Sequence, residues 1–303
     1  QVWLNLVDDI IVISFLFKLV GTNFALILNS PLIRRDDLHG RLLRLLDVFV
    51  GKQVRSRPAR CQSRHRMATA DGRALNWQRI DADRARRALL GIPLRFGLFL
   101  FLPAGTLFWP KAWVFVLVSL AEMVLQFGYL WRVNPEVVIA RSHYRLDSKR
   151  WDKLLLCCYL PSVLTILIVA ALDDGRFHWC PLPWMISVVG FALFLLGFGL
   201  ITWAQTVNKF FEPTVRIQAD RQQRVIDRGP YRAVRHPGYV GGVLVAIGTA
   251  LALGSVWALI PAALASGLLL LRTHWEDQTL QRELAGYKQY ADRVRFRWVP
   301  RVW

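Results

Sequence analysis

Apolar residues in this chain gather into long, mostly uninterrupted runs instead of recurring at helix or strand spacing. Five blocks stand out: 92–109, 111–131, 154–172, 184–204 and 239–271. A helix needs about 20 mostly apolar residues to cross a bilayer, or about 17 at the short end. Each of the first four blocks suits one helix. The fifth has 33 residues and as one helix would run roughly 50 Å, at about 1.5 Å of rise per residue. That overshoots a hydrocarbon core of about 30 Å. A break at Gly254-Ser255 makes it two short spans in a helical hairpin. The pattern predicts an all-α integral membrane protein with about six transmembrane helices.

The segments between the blocks are polar. Residues 132–153 (WRVNPEVVIARSHYRLDSKRWD) cannot span, and Asn134-Pro135 suits a turn or a helix start. Trp151, just before the third span, belongs at an interface. After the sixth span the pattern stays helical through about Leu284, with Gly286 as a stop. The remainder alternates cations with aromatics and reads as a C-terminal interfacial element. The first 66 residues differ in character, with an arginine-rich stretch and no helix or strand period. They are expected to be a disordered or misassigned extension. Residues 10–28 within it are apolar enough for an extra anchor helix, although Lys18 interrupts their middle. A basic lead-in over 67–91 precedes the membrane domain of 92–303.

Composition adds little until its distribution is considered. The hydrophobic share is 54%, only slightly above that of a soluble protein. The net charge is +18, and beyond the first 66 residues most Lys and Arg fall in the lead-in, the 132–153 and 205–238 loops, and the tail from Arg272 to Arg301. With six spans those four segments fall on one side, leaving the short connections at 109–111, 173–183 and Gly254 on the other. That is the positive-inside arrangement, and it places the basic loops and the C-terminus in the cytoplasm. Such charge orients the chain and meets anionic lipid headgroups. No aromatic-interleaved basic motif points to nucleic acid. The four cysteines form neither a disulfide framework nor a metal spacing. The histidines are scattered, with no H-x-x-x-H pair, so no metal site is expected.

The stretch RGPYRAVRHPGY at 228–239 carries the most chemistry. Pro237 suits the first position of a helix, and the unbonded N–H groups there, beside Arg235 and His236, favour a bound carboxylate or phosphate. Gly229-Pro230 forces a turn that brings Tyr231 toward Tyr239. Gly238, Gly241 and Gly242 permit either tight helix packing or close approach of a flat ligand. Charges beside an apolar run also serve simply as a membrane anchor. A second cluster, Glu276-Asp277, lies one turn past the sixth span. If 239–271 folds back, the acids return to the depth of the Arg-His-Pro entry. A zwitterionic, cationic cofactor suits that combination. The competing roles are an i,i+4 pair with Arg272 for Glu276 and a solvated helix face for Asp277.

These residues resemble the isoprenylcysteine carboxyl methyltransferase and phospholipid methyltransferase superfamily of membrane enzymes, in particular its bacterial members. The resemblance rests on GPYRAVRHPGYVGG at 229–242, on Glu276-Asp277 and on the closing GYKQY…RV…P of 286–300, and it covers about 89–303. It implies S-adenosylmethionine as cofactor, with the cofactor region at 205–303. Carried over by position, it implies cofactor binding by Tyr231, Arg235, His236, Pro237, Tyr239, Gly241, Glu276 and Asp277. The family usually shows two glutamates where this chain has Glu276 and the shorter Asp277. Methyl transfer is an in-line displacement in which the protein orients donor and acceptor and matches the changing charge. Tyr239 offers an aromatic face to a sulfonium. Glu276 and Arg282 are the residues expected to act in catalysis, Arg282 by orienting an anionic acceptor. Arg293, Arg295 and Arg297 are expected on headgroups. The acceptor is a lipophilic or lipid-linked carboxylate or amine. Two rivals remain: an NADPH-dependent sterol or steroid reductase, whose Arg-His-Pro segment continues differently, and a non-catalytic lipid-binding membrane protein.

Overall fold

The computed structural model describes residues 97–142, 148–300 and 303. The expectations for 1–66 and 67–91 lie outside the described residues. Within them the regular elements are helices, with no strand beyond one isolated bridge between Pro181 and Ser255. The long helices are α1 (Pro110–Val133), α3 (Arg150–Ala170, continued by a π-helical turn over Ala171–Phe177), α4 (Trp184–Val207), α5 (Pro237–Ala252) and α6 (Leu259–Glu283). Two short helices, α2 (Pro135–Ser142) and α7 (Tyr287–Arg293), lie after α1 and α6.

Each boundary has a local cause. Pro110, Pro135 and Pro237 occupy first helical positions, where the missing N–H costs nothing. Asn134 separates α1 from α2 where the Asn-Pro pair predicts a break. Gly286 follows α6 with φ +80°, a conformation glycine adopts without strain.

Among the described residues, α1, Arg150–Phe177 and α4 are the three helices long and apolar enough to cross a membrane. The expected six are therefore not all matched by length. The first block begins outside the described residues, and its visible part is a π-helical turn, Gly97–Phe101, and one further turn ended at Gly105. α5 is apolar but has only 16 residues, about 24 Å at the usual rise. α6 is long, but its second half is polar, from Arg272 onward. Between them the chain turns over Leu253–Ala258, with Gly254 at φ +81°, where the sequence predicts the break.

α4 and α5 pack most intimately. A methyl group on Gly241 would lie 2.6 Å from the carbonyl oxygen of Gly197, so the two backbones meet without side chains between them. α5 in turn packs on α6, where a methyl on Gly242 would meet the Leu269 side chain. Aromatic and small residues fill the core on the α1 side, among them Phe115, Phe194, Ala246 and Ala250.

The connections expected on one side of the membrane do meet at one end of the bundle. Lys111 Nζ donates to Asp174 Oδ1 at 2.6 Å and to the Leu182 carbonyl at 2.6 Å, while Trp109 Nε1 donates to Asp174 Oδ2 at 2.7 Å. Ser255 Oγ donates to Asp173 Oδ2 at 2.6 Å, and the Cys180 amide donates to Asp173 Oδ1 at 2.8 Å.

Candidate functional site

The other end of the bundle begins with the turn after α4. Asn208 Nδ2 donates to the Tyr231 hydroxyl at 3.0 Å, and the Tyr290 hydroxyl donates to the Tyr231 carbonyl at 2.7 Å. Gly229, at φ +59°, sits against Val207 and Trp203 and lets the chain reverse there. Tyr231, Tyr287 and Tyr290 are buried together with Ala204 and form a small second core. That core carries the Arg235-His236-Pro237 segment to the start of α5.

Arg235 and His236 are both buried, at 8% and 6% exposure. Their backbone amides donate to Phe296 and Arg297 carbonyls at 2.9 and 3.0 Å, so the C-terminal tail lies along this segment. The Nε of Arg235 is buried and meets no acceptor. Tyr239, one turn into α5, donates its hydroxyl to Glu276 Oε2. The ring of Tyr239 stacks on His236, with centroids 5.8 Å apart, and the Arg272 guanidinium lies 5.5 Å from its centroid. The cation contact expected of a sulfonium at Tyr239 is thus supplied, in this structure, by Arg272.

The acidic pair divides into two functions. Glu276 is half-buried and meets Tyr239. Asp277 is fully buried and is not a solvated helix face. Its Oδ1 faces His236 Nε2 at 3.3 Å and accepts from the Tyr287 hydroxyl at 3.0 Å. Its Oδ2 accepts from Gln281 Nε2 at 2.9 Å and from Arg297 Nε at 3.0 Å, with Arg235 Nη2 at 3.3 Å. Burial by itself would raise this carboxyl. The hydrogen bond and charge of His236, with Arg235 and Arg297, outweigh it and hold Asp277 well below the usual carboxylate range. Burial, followed by the adjacent Asp277 charge, pushes the Tyr287 phenol up, so it remains a donor.

Three expectations change in detail. Arg272 does not pair with Glu276: its Nε donates to Asp152 Oδ1 at 2.8 Å and its Nη2 to the Pro213 carbonyl at 2.6 Å. Arg297 is not on the outer rim but on Asp277, at 23% side-chain exposure. Gly241 faces the α4 backbone, which favours helix packing over approach to a ligand. Arg282 is exposed and lines a cavity of about 210 Å³ with Trp151, Trp275, Gln278 and Thr279. Trp151 and Trp275 meet there edge to face at 5.5 Å. Among the described residues no group of three or more His, Cys, Asp or Glu side chains gathers as a metal site.

Sequence reasoning missed Asp152, Asn208, Tyr287 and Tyr290, each a partner of a residue it did select. Asp152 is fully buried and also accepts from the Val215 amide at 2.7 Å. The available signal was Arg272 itself: a cation at the end of an apolar run needs a buried anion.

The site's two clusters and the helices that carry them coincide with a known family. Residues 185–286 match the family model described as phospholipid methyltransferase, a window that includes Arg235–Tyr239 and Glu276-Asp277 and ends before Arg297. The chain is similar to proteins named probable protein-S-isoprenylcysteine O-methyltransferase from Oryza sativa subsp. indica and subsp. japonica. Each is 28% identical over 187 residues, covering 61% of this chain and 93% of the relative. These matches bear out the resemblance read from the motif. They support a likeness to the isoprenylcysteine carboxyl methyltransferase and phospholipid methyltransferase superfamily.

Proposed function

We propose that the protein is an integral membrane methyltransferase that uses S-adenosylmethionine and acts on a lipophilic or lipid-linked acceptor. The observation that carries this reading is the buried Arg235 Nε without an acceptor at the proline-headed start of α5, one turn from Tyr239 and Glu276. A buried guanidinium N–H left unpaired is costly, and an anionic group at the α5 start would satisfy it. Among the described residues the other oxygen of Glu276 accepts no hydrogen bond, so it suits the cationic or hydroxylic part of the same ligand. These residues fit a molecule that carries a carboxylate, an ammonium and ribose hydroxyls.

When bound, the cofactor supplies an activated methyl group at its sulfonium. The chain's own residues have simpler work. Arg235 and the α5 start orient the carboxylate, and Glu276, oriented by Tyr239, holds the opposite end. Buried Tyr231 and Tyr290 keep the turn in place beneath them. Arg282 sits on the cavity between the two tryptophans, where it would orient an acceptor carboxylate and disfavour a cationic amine. That cavity is smaller than the about 300 Å³ at which small-molecule sites usually begin. It suits a headgroup whose apolar part stays in lipid. The basic segments and the tail then face the cytoplasm, where a soluble cofactor is available.

The test is calorimetric titration of the detergent-solubilised protein with S-adenosylhomocysteine, followed by transfer of tritiated methyl to total membrane lipid and to lipidated peptide. Saturable heat and label in one acceptor fraction are expected. The Glu276→Gln variant should lose both by about 10²-fold, the usual scale for a displaced binding group. Saturable NADPH binding without S-adenosylhomocysteine binding would mean a reductase instead. Binding of neither by folded protein would favour a non-catalytic lipid-binding role.

A further inference from the structure

We infer that Asp277 is a positioning residue that never meets the cofactor, and that with Arg297 it makes the C-terminal tail a structural strap of the cofactor site. The inference deepens the methyltransferase reading and rests on it. Adjacent residues on a helix point about 100° apart, so Glu276 and Asp277 cannot face one small ligand equally. Glu276 is half-buried and reaches Tyr239 on α5. Asp277 has no exposed surface at all, and all its hydrogen-bonding capacity is turned inward. An ionised carboxylate has about four lone-pair sites. Asp277 meets five groups, Tyr287 and His236 at Oδ1 and Gln281, Arg297 and Arg235 at Oδ2.

Three separate pieces of chain therefore converge on one side chain: the entry to α5, the helix α7 after Gly286, and the tail. The tail's contribution is double. Arg297 donates its side chain to Asp277 while its carbonyl accepts from the His236 amide at 3.0 Å, and the neighbouring Phe296 carbonyl accepts from the Arg235 amide at 2.9 Å. Trp298 Nε1 adds a bond to Thr273 Oγ1 at 2.8 Å on α6, fixing the far side of the strap. Two guanidiniums, from Arg235 and Arg297, share the one carboxylate oxygen. Neutralising Asp277 leaves them facing each other with the anion removed. The segment that bears the unpaired Arg235 Nε then loses its ion pair to α6 and keeps its two amide bonds to the tail, and a tail that departs loosens it further. The family window ends at 286, so the strap is supplied by chain outside the matched segment.

The experiment compares wild type, Asp277→Asn, Asp277→Glu and Arg297→Gln in detergent, by hydrogen exchange at the Arg235 and His236 amides and by S-adenosylhomocysteine titration. Asn keeps the shape and removes the charge. Arg297→Gln loosens the strap without stranding a buried anion, since Tyr287, Gln281 and Arg235 remain on Asp277, and so it serves if Asp277→Asn does not fold. In both variants the two amides should exchange at least about tenfold faster, as local opening requires. Affinity for S-adenosylhomocysteine should fall by about 10²-fold in Asp277→Asn and about tenfold in Arg297→Gln, with the acceptor KM unchanged. Asp277→Glu should recover part of the affinity. Unchanged amide exchange, or faster exchange with unchanged affinity, would overturn the inference. If wild type itself binds no S-adenosylhomocysteine, the methyltransferase reading fails, and the amide exchange still decides whether Asp277 and the tail hold the segment.

Discussion

The two ends of the helical bundle use the same kinds of side chain in opposite ways. At the aspartate end, each of the four carboxylate oxygens of Asp173 and Asp174 accepts one short bond, from Lys111, Trp109, Ser255 or the Cys180 amide. The partners come from three connections far apart in sequence, and every donor named there has found its acceptor. At the arginine end one buried aspartate serves Arg235, His236 and Arg297 at once, and Arg235 still has an N–H without an acceptor. Helix α3 and its π-helical extension connect the ends, from Asp152 to Asp173, about 30 Å apart at the usual rise. A satisfied polar cluster fixes connections, whereas an unsatisfied one beside a helix start is where a ligand's charge is worth most.

The largest expected effect is on the aspartate end. Asp174→Ala leaves Lys111 Nζ with only the Leu182 carbonyl and takes the acceptor from Trp109 Nε1. Breaking one side of such a buried pair costs about 3–5 kcal/mol, so unfolding in detergent should shift strongly. The folded fraction should bind S-adenosylhomocysteine within about twofold of wild type, because sites this far apart act independently. Loss of binding in the folded fraction would show that the ends are not separable. Replacing both partners, Lys111→Met with Asp174→Leu, should recover most of the lost stability.

The arginine end should show itself next, through pH. Asp277 has a folded-state pKa held below its unfolded value, so its contribution is complete above about pH 4, where the unfolded carboxylate is already charged. It is lost only as pH falls through the depressed folded value. The stability gap between wild type and Asp277→Asn should therefore be flat from neutral pH down to about 4 and close below it. A gap that closes already between pH 7 and 5 would mean that the Asp277 carboxyl is not held below its ordinary value.

Much of this contrast was legible in the sequence, and the remainder was not for definite reasons. The Arg-His-Pro start of α5 could be read because proline at a first helical position and charges before an apolar run are local signals. The break at Gly254 followed from length alone. The division between Glu276 and Asp277 was also within reach, since the helical period sends neighbours to different faces. By contrast, Asp152 and Arg272 are 120 residues apart, and no local pattern connects them. The same holds for Arg297, which looks like any other tail arginine until the tail folds back. Alternating cations and aromatics describe a headgroup-facing segment and a strap equally well.

A smaller effect is expected from Tyr239→Phe. The ring keeps its stack on His236 and its contact with Arg272, and only the bond to Glu276 is lost. A single hydrogen bond is worth about 0.5–1.5 kcal/mol, so S-adenosylhomocysteine should bind about threefold to tenfold more weakly, with unfolding little changed. A loss as large as that of Glu276→Gln would make the hydroxyl itself a ligand contact.

The smallest effect tests whether the arginine end works by geometry or by charge alone. Arg293 pairs with Asp227 at 3.2 Å, with side-chain exposures of 67% and 53%. Exposed pairs of this kind contribute about 0–1 kcal/mol and are screened by salt. Arg293→Ala removes one positive charge from the same end of the bundle without touching Asp277, Glu276 or the α5 start. If the buried contacts carry the site, cofactor affinity should stay within about twofold at physiological salt, where charges more than about 8 Å apart are screened. If the effect of Arg293→Ala approaches that of Arg297→Gln and disappears at high salt, the site attracts its ligand through a diffuse field. The orphaned Arg235 Nε would then have no particular part in holding it.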